Sequence, residues 1–150
     1  MNKTVPYEQD IVAWANEQAR LLRAGRLDLL DIEHLAEEIE DVGKSEQREL
    51  ASRMVVLLAH LLKWQYQPEY RGNSWRLTLR NQRRAIQRRL DQTPSLHTRL
   101  QDNHWWQDVW EEAVTQALHE TGLDPEQKHL PETCPWTAGE ILAEDWLPAA

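Results

Sequence analysis

The stretch IEHLAEEIEDVGKSEQRELASRMVVLLAHLLKWQYQ, residues 32–67, decides the fold of this chain. Its apolar side chains recur at spacings of three and four residues, the period of an α-helix that buries one face. This stripe consists of Leu35, Ile39, Val42, Leu50, Met54, Leu57, Leu61 and Trp64. The period continues across Gly43, so we predict one helix, about 54 Å long at 1.5 Å per residue, that ends before Pro68. A break at Gly43, with Ser45 as a new cap, is the alternative.

Further helices are predicted on both sides of this long helix. The patterns indicate helices over 7–24, from residue 73 or 74 to about 91, over 94–100, from about 106 to 121, and from Thr137. In the first of these, one face holds Ile11, Trp14, Ala15, Gln18 and Leu22. The chain has no Phe and few of the β-branched residues that strands prefer. We therefore predict an all-α helical bundle with no sheet, built on the long central helix and four to five further helices.

The chain length of 150 residues is enough to bury one core, so we expect a single domain over residues 1–150. Its core covers about residues 7–122, and residues 123–150 form an extended, proline-rich segment and a short helix. No stretch approaches the ~20 apolar residues of a membrane span, and the N-terminus lacks a secretory signal. The single cysteine, Cys134, allows no internal disulfide. These features predict a cytoplasmic protein that does not enter the membrane.

Charge is distributed unevenly along the chain, whose formal net charge is −8. Residues 28–49 contain nine acids and two bases, whereas residues 71–90 contain seven arginines and no acid. A candidate anion-binding patch consists of Arg76, Arg80, Arg83, Arg84 and Arg88. Such a patch is typical of phosphate binding, but the two segments could instead lie side by side and neutralise each other. Because Trp75 is the single aromatic residue of the arginine segment and lies on its predicted inner face, base stacking is not indicated. We therefore rank nucleic acid below a protein partner.

Histidines and carboxylates form metal-dependent active sites in some helical bundles. Di-iron bundles use Glu-x-x-His on two helices, but no histidine here has a glutamate three residues before it, and His34 has Asp31 there instead. We predict no metal and no cofactor. The residues kept as candidates for catalysis are His60, Glu37, Glu38 and His104.

Two spacings between arginine and histidine suggest a second kind of enzyme. Arg53 precedes His60 by six intervening residues, and Arg99 precedes His104 by four. Both resemble the Arg-x4–6-His pattern of the all-helical HEPN ribonucleases, in which the pair serves RNA cleavage at a dimer interface. The rest of that family's pattern is not evident, so a ribonuclease is an alternative and not the main prediction.

His60 and Lys63 are the polar residues of a segment that is otherwise almost wholly apolar, LLAHLLKW at 57–64. We expect His60 to be a hydrogen-bonded core residue, and a carboxylate facing it across the bundle would reopen the possibility of a site. The aliphatic stem of Lys63 packs while its amine reaches water or an acid.

The chain contains eight tryptophans, and the Trp105–Trp106 pair is a candidate interaction surface because tryptophan is enriched at binding hot spots. The long helix is also long enough to extend past a domain of this size, which would leave apolar surface for a partner to cover. The main prediction is therefore a protein-interaction or structural module that binds a protein partner or associates with itself as a homo-oligomer.

Several motifs together resemble a known bacterial family, domain of unknown function 29. They are LAEEIEDVGKSEQREL, LLAHLLKWQYQPEYRGNSW, LRNQRRAI, TPSL and LPETCPWT, and the resemblance extends from Tyr7 to Pro148. It implies a compact α-helical domain over the full length. It implies no catalytic residues, so function has to be argued from the residues themselves.

Overall fold

A computed structural model describes residues 6–124, 126 and 129–149. Within these residues the α-helices are α1 (Ile11–Arg23), α2 (Ile32–Tyr66), α3 (Asn73–Gln92), α4 (Asn103–Thr121) and α5 (Ala138–Leu142). Short 3-10 helices occur at Leu27–Leu29, Pro68–Tyr70 and Pro94–Gln101. No strand occurs in the described part of the chain, so the predicted all-α class is confirmed. None of these helices combines the length and the apolar character needed to cross a membrane.

Helix α2 runs without a break from Ile32 to Tyr66. The prediction of one long helix is confirmed, and the alternative of a break at Gly43 is wrong. A glycine inside a helix destabilises it by only about 1 kcal/mol relative to alanine, which the rest of α2 tolerates. The helix starts after Asp31, whose carboxylate accepts a hydrogen bond from the main-chain N–H of His34 at 3.4 Å. It ends before Pro68, as expected from the steric restriction that proline places on the preceding residue.

The chain divides into two compact units, Met1–Glu46 and Gln47–Ala150, with the boundary inside α2. The expectation of a single domain stays a prediction. Among the described residues of the first unit, the buried side chains are Trp14, Gln18 and Leu21 of α1. The helical period had assigned Leu22 to this inner face, but Leu22 is about half exposed at 49% and Leu21 is buried in its place. The first unit therefore has a very small core of its own.

Local signals determine both ends of α1. The helix starts later than predicted, because the Asp10 carboxylate accepts a hydrogen bond from the main-chain N–H of Ala13 at 3.0 Å and so caps it. After α1, Gly25 adopts a left-handed conformation with φ of 71°, which glycine reaches without the steric penalty of a side chain.

The second unit contains the large core, around the C-terminal half of α2. Its buried apolar side chains include Leu50, Met54, Leu57, Leu58, Leu61 and Trp64 of α2, Leu79, Ile86 and Leu90 of α3, Val109, Trp110 and Ala113 of α4, and Ile141 of α5. Each fully buried leucine or isoleucine stabilises the fold by about 1.5–3 kcal/mol. Helix α5 starts with the predicted capping box, in which Thr137 and Glu140 each accept a main-chain N–H of the other.

Candidate functional site

The N-terminal half of α2 exposes apolar side chains along one face. Ile32, Ile39 and Val42 are 69%, 71% and 67% exposed, and Leu35 between them is partly buried. Their spacings of three, four and three residues place them on one line of the helix. We call Ile32, Leu35, Ile39 and Val42 the apolar seam. The predicted periodicity of α2 is correct, but the first half of its apolar face is not buried within this chain.

Three of the four positions on either side of the apolar seam carry small or neutral side chains. With the seam residues at heptad positions a and d, Ala36 and Gly43 occupy e, and Glu38 and Ser45 occupy g. A Cβ built at Gly43 would meet no atom within 4 Å. The packing of this chain therefore does not require a glycine there.

Four of the acidic residues of this half-helix lie on its other side. Glu33, Glu37, Glu40 and Asp41 fall at heptad positions b, c and f, and all four are exposed. Glu37, one of the candidate catalytic residues, is thus a solvated surface carboxylate.

Glu38 takes part in a polar network that anchors the segment before α1. The phenol of Tyr7 donates a hydrogen bond to the Glu38 carboxylate, and this bond raises the pKa of Tyr7 to about 12. The Tyr7 ring also stacks on the His34 ring, with 4.2 Å between ring centroids. The role of Glu38 in this structure is therefore to hold Tyr7 against α2.

Asp31 is the centre of the same network. Its carboxylate accepts the indole N–H of Trp14 at 3.0 Å and lies 2.7 Å from Nδ1 of His34. Burial works to raise the pKa of Asp31, but the hydrogen bonds from His34 and Trp14 outweigh it and lower that pKa. The hydrogen bond to Asp31 in turn raises the pKa of His34. Nε2 of His34 lies 3.2 Å from a carboxylate oxygen of Glu8.

His60 lies in the second unit with a hydrogen bond of the kind expected for a core histidine. Its Nδ1 lies 2.8 Å from the main-chain oxygen of Val56, one turn earlier, and burial lowers the pKa of the ring. Across the bundle, the carboxylate of Glu120 pairs with the largely buried Lys63 and acts on His60 electrostatically. This carboxylate is the feature that would reopen the question of a site. Lys63 already binds the Glu120 carboxylate, and this hydrogen bond is the main reason that the pKa of Glu120 is lowered.

Both arginines of the spacings typical of HEPN ribonucleases lie beside a carboxylate close to them in sequence. Arg53 pairs with Glu49 at 3.0 Å, one turn earlier on α2. Arg99 lies 3.8 Å from the Asp102 carboxylate, which also accepts the main-chain N–H of His104 at 2.9 Å. His104 is therefore an exposed residue in the first turn of α4. Within the described part of the chain, no group of three histidine, cysteine or acidic side chains is arranged to hold a metal ion.

Helix α3 presents a straight line of arginines. Arg76, Arg80, Arg84 and Arg88 recur at every fourth position and all four are exposed; we call them the arginine ridge. Arg76 stacks over the ring of Trp64 with 4.8 Å to the ring centroid, and Arg84 pairs with Glu144 at 3.0 Å. Elsewhere on α3, Arg89 pairs with Glu49 at 3.3 Å, which is one contact of the expected kind with the acidic segment.

Arg83, which sequence analysis had placed in the anion-binding patch, is buried at 3% exposure. Its guanidinium donates hydrogen bonds to three main-chain oxygens, those of Ile141 at 2.7 Å, Glu144 at 3.0 Å and Trp146 at 2.7 Å. Arg83 is therefore a structural clamp for the C-terminal segment. No sequence pattern predicted this role, because main-chain acceptors have no signature in the sequence.

The Trp105–Trp106 pair is half-buried, with its rings edge to face at 5.0 Å. The indole N–H of Trp106 donates to the main-chain oxygen of Leu100 at 2.6 Å. Trp106 also lines a cleft of about 380 Å³ together with Cys134 and Trp136. Burial raises the pKa of the Cys134 thiol, which disfavours the reactive thiolate.

Residues 6–147 match the family model described as "Domain of unknown function DUF29". Because this match covers nearly all of the 150 residues, the chain belongs to that family, as its motifs implied. Comparisons with curated proteins and with solved structures gave no match. The function is therefore argued from the surfaces described above.

Proposed function

We propose that this protein is an interaction module that pairs with a second copy of itself through the apolar seam of α2. The exposure of Ile32, Ile39 and Val42, each about 70%, is the observation that carries this proposal. A line of large aliphatic side chains in water is unfavourable, at about 25 cal/mol per Å² of apolar surface. Covering that line with a partner recovers this free energy.

The heptad pattern favours a helix as the partner. In a coiled coil, residues at a and d fill holes between four residues of the facing helix. Small residues at the adjacent positions allow the two backbones to approach closely, and Ala36 and Gly43 supply them here. Because a Cβ at Gly43 would meet no atom of the described residues within 4 Å, a close-packed partner accounts for that glycine.

The arrangement of charges favours a second copy over an unrelated basic helix. A basic partner would call for acids at the positions directly beside the seam, since those positions form the ion pairs between two helices. Here one of those positions is acidic, Glu38, and Tyr7 already engages it. Glu33, Glu37, Glu40 and Asp41 point away from the seam, so two copies can meet over residues 32–42 without bringing these carboxylates together.

The proposal is tested by sedimentation velocity over about a hundredfold range of protein concentration, because a dimer equilibrium follows mass action. The wild-type protein is expected to change from monomer to dimer as concentration rises. Ile39→Glu places a charge in the seam of both subunits, and we expect dimerisation to weaken at least tenfold, or about 1.4 kcal/mol.

Gly43→Leu is a second variant with a different mechanism. In the single chain the leucine side chain meets open space, and leucine favours the helical conformation. In the proposed dimer the same side chain would hold the two helix backbones apart. The matched control is Leu77→Glu, which makes the same kind of change at an exposed position of α3. A wild-type chain that stays monomeric would contradict the proposal, as would an Ile39→Glu variant that dimerises as well as the control.

We further propose that the protein works in the cytoplasm, without a metal or cofactor, and as one functional domain over residues 1–150. The single cysteine supports the reducing compartment, because it allows no disulfide within the chain. The engagement of Glu120 by Lys63 supports a structural role for the surroundings of His60.

A further inference from the structure

We propose that the arginine ridge of α3 binds the phosphate backbone of a nucleic acid strand without regard to base sequence. This activity goes beyond the self-association proposed above. The ridge lies in the second unit, and its residues take no part in the apolar seam.

The spacing of the ridge suits a linear polyanion. Arginines four residues apart on a helix rise by about 6 Å, so Arg76 and Arg88 lie about 18 Å apart along the axis of α3. One strand of DNA rises about 3.4 Å per nucleotide, so a ridge of this length extends beside about five nucleotides. Guanidinium groups present paired donors that match phosphate oxygens.

Most of the charge on the ridge has no counterion among the residues that the structure describes. Arg80 and Arg88 form no ion pair with any residue that the structure describes, and Arg76 stacks on Trp64. Residues 71–90 include no acid, and Asp91, in the last turn of α3, is the single acid of this helix. Like charges four residues apart repel each other and destabilise a helix. A bound phosphate strand relieves that repulsion.

Contacts beneath the ridge hold it in place. Arg83, on the inner side of the same helix, binds the main chain of Ile141, Glu144 and Trp146. Arg84 is held by the Glu144 carboxylate, and the two flank a cleft of about 430 Å³. The contacts of Arg76 with Trp64 and of Arg84 with Glu144 restrict these two side chains of the ridge. The ridge therefore loses less conformational entropy on binding than a flexible basic segment does.

The surroundings of the ridge favour nucleic acid over an acidic protein. Protein interfaces have an apolar centre, but Leu77 is the single large apolar residue of α3 that is exposed, and every residue of α3 is described. Interfaces with nucleic acid are polar and positively charged. Trp75 is partly buried, so it gives no platform for base stacking. The ranking drawn from the sequence, which placed nucleic acid below protein, is reversed for this surface.

The net charge of −8 does not prevent local binding. At physiological ionic strength the Debye length is about 8 Å, so exposed acids farther away than this are largely screened. The carboxylates beside the ridge are those of Glu144 and Asp145 at one cleft and that of Asp91 at a second cleft, which Arg84 and Arg88 also line. They weaken the ridge without cancelling it.

The test is fluorescence anisotropy of a labelled oligothymidine of about 20 nucleotides with the full chain, in about 50 to 200 mM salt. We expect a dissociation constant in the micromolar range at low salt, and a plot of log affinity against log salt with a slope of about −3 for four phosphates. In Arg80→Gln/Arg88→Gln, we expect the affinity to fall about tenfold and the slope to shrink by 1 to 2.

The matched control is Arg23→Gln/Arg48→Gln, which removes the same charge from exposed helical positions outside the ridge. The control should bind like the wild type, and circular dichroism should show all three proteins equally helical. The proposal is overturned if the wild type does not bind at low salt, or if the control loses as much affinity as the ridge variant. It is also overturned if polyglutamate displaces the labelled strand as well as unlabelled DNA does, because the ligand would then be an acidic protein.

Discussion

At the scale of single residues, Arg83 carries a charge into the core of the second unit. Burial lowers the pKa of its guanidinium, since the charged form loses its hydration. Three main-chain oxygens, those of Ile141, Glu144 and Trp146, replace that hydration. A buried charge with a hydrogen bond from each of its three nitrogens specifies one position for the segment it contacts, whereas an apolar contact allows that segment to shift.

Substituting Arg83 is expected to destabilise the fold strongly. Arg83→Met keeps the length of the side chain but leaves the three oxygens without their donor, so we expect a loss of about 2–4 kcal/mol. Chemical denaturation followed by circular dichroism measures this loss. Arg80→Met, three residues earlier and exposed, is the control and should change the stability by less than about 0.5 kcal/mol. Equal effects of the two substitutions would show that the clamp contributes nothing.

His34 and His60 should titrate in opposite directions from the ordinary histidine pKa of about 6.5. The hydrogen bond to Asp31 raises the pKa of His34, whereas burial lowers that of His60. NMR titration of the imidazole protons measures both. In Asp31→Asn the midpoint of His34 should fall while that of His60 stays where it was; an unchanged His34 would contradict the role given to Asp31.

The direction of the pKa shift at His34 determines how the first unit responds to pH. A histidine with a raised pKa in the folded state binds its proton more tightly there than in the unfolded chain. Its contribution to stability is therefore complete below about pH 6.5 and is lost as the pH rises through the folded pKa. Asp31, with a lowered pKa, contributes above its unfolded pKa of about 3.9 and loses that contribution as the pH falls.

At the scale of elements, α2 is one helix with two different environments. Its C-terminal half holds the core residues of the second unit, such as Leu57, Leu58 and Leu61, which are fully buried. Its N-terminal half carries the exposed apolar seam and belongs to the first unit, in which the buried side chains among residues 6–46 come from α1. Continuous hydrogen bonding along a helix therefore does not imply uniform stability.

Hydrogen exchange should reveal this difference within α2. The main-chain amides of residues 54–62 can exchange only when the large core of the second unit unfolds. We therefore expect them to exchange at least about a hundredfold more slowly than the amides of residues 36–44. Mass spectrometry of peptic fragments at low protein concentration measures both segments. Raising the concentration should slow exchange in 36–44 selectively, because dimerisation covers the seam. Equal exchange rates along α2 at low concentration would mean that the helix opens as one unit.

At the scale of the whole molecule, the sequence predicted what depends on neighbouring residues. Helical period and proline position gave the extent of α2, and the spacing of Thr137 and Glu140 gave the cap of α5. The period shows which residues share a face, but it does not show whether anything covers that face. For this reason Ile39 and Val42 were expected among core residues and are exposed.

Tertiary contacts were harder to predict at the candidate sites. The arginines of α3 repeat regularly, and the pattern alone could not separate the buried Arg83 from the exposed Arg80 and Arg84. Lys63 was expected to reach water or an acid, but its partner, Glu120, is 57 residues away in sequence. Contacts over such separations depend on how helices pack, which one sequence does not reveal.

The Arg83 clamp also affects the order in which the chain folds. Its acceptors lie 58 to 63 residues farther along the sequence, so during synthesis α3 is made long before Ile141 and Trp146 exist. At about 5–20 residues per second, the guanidinium spends several seconds without these partners. Until then, water must solvate Arg83, and the adjacent core cannot close over it. The second unit therefore finishes folding late, when its C-terminal segment docks, and a nascent chain stalled before residue 141 would offer chaperones an open core.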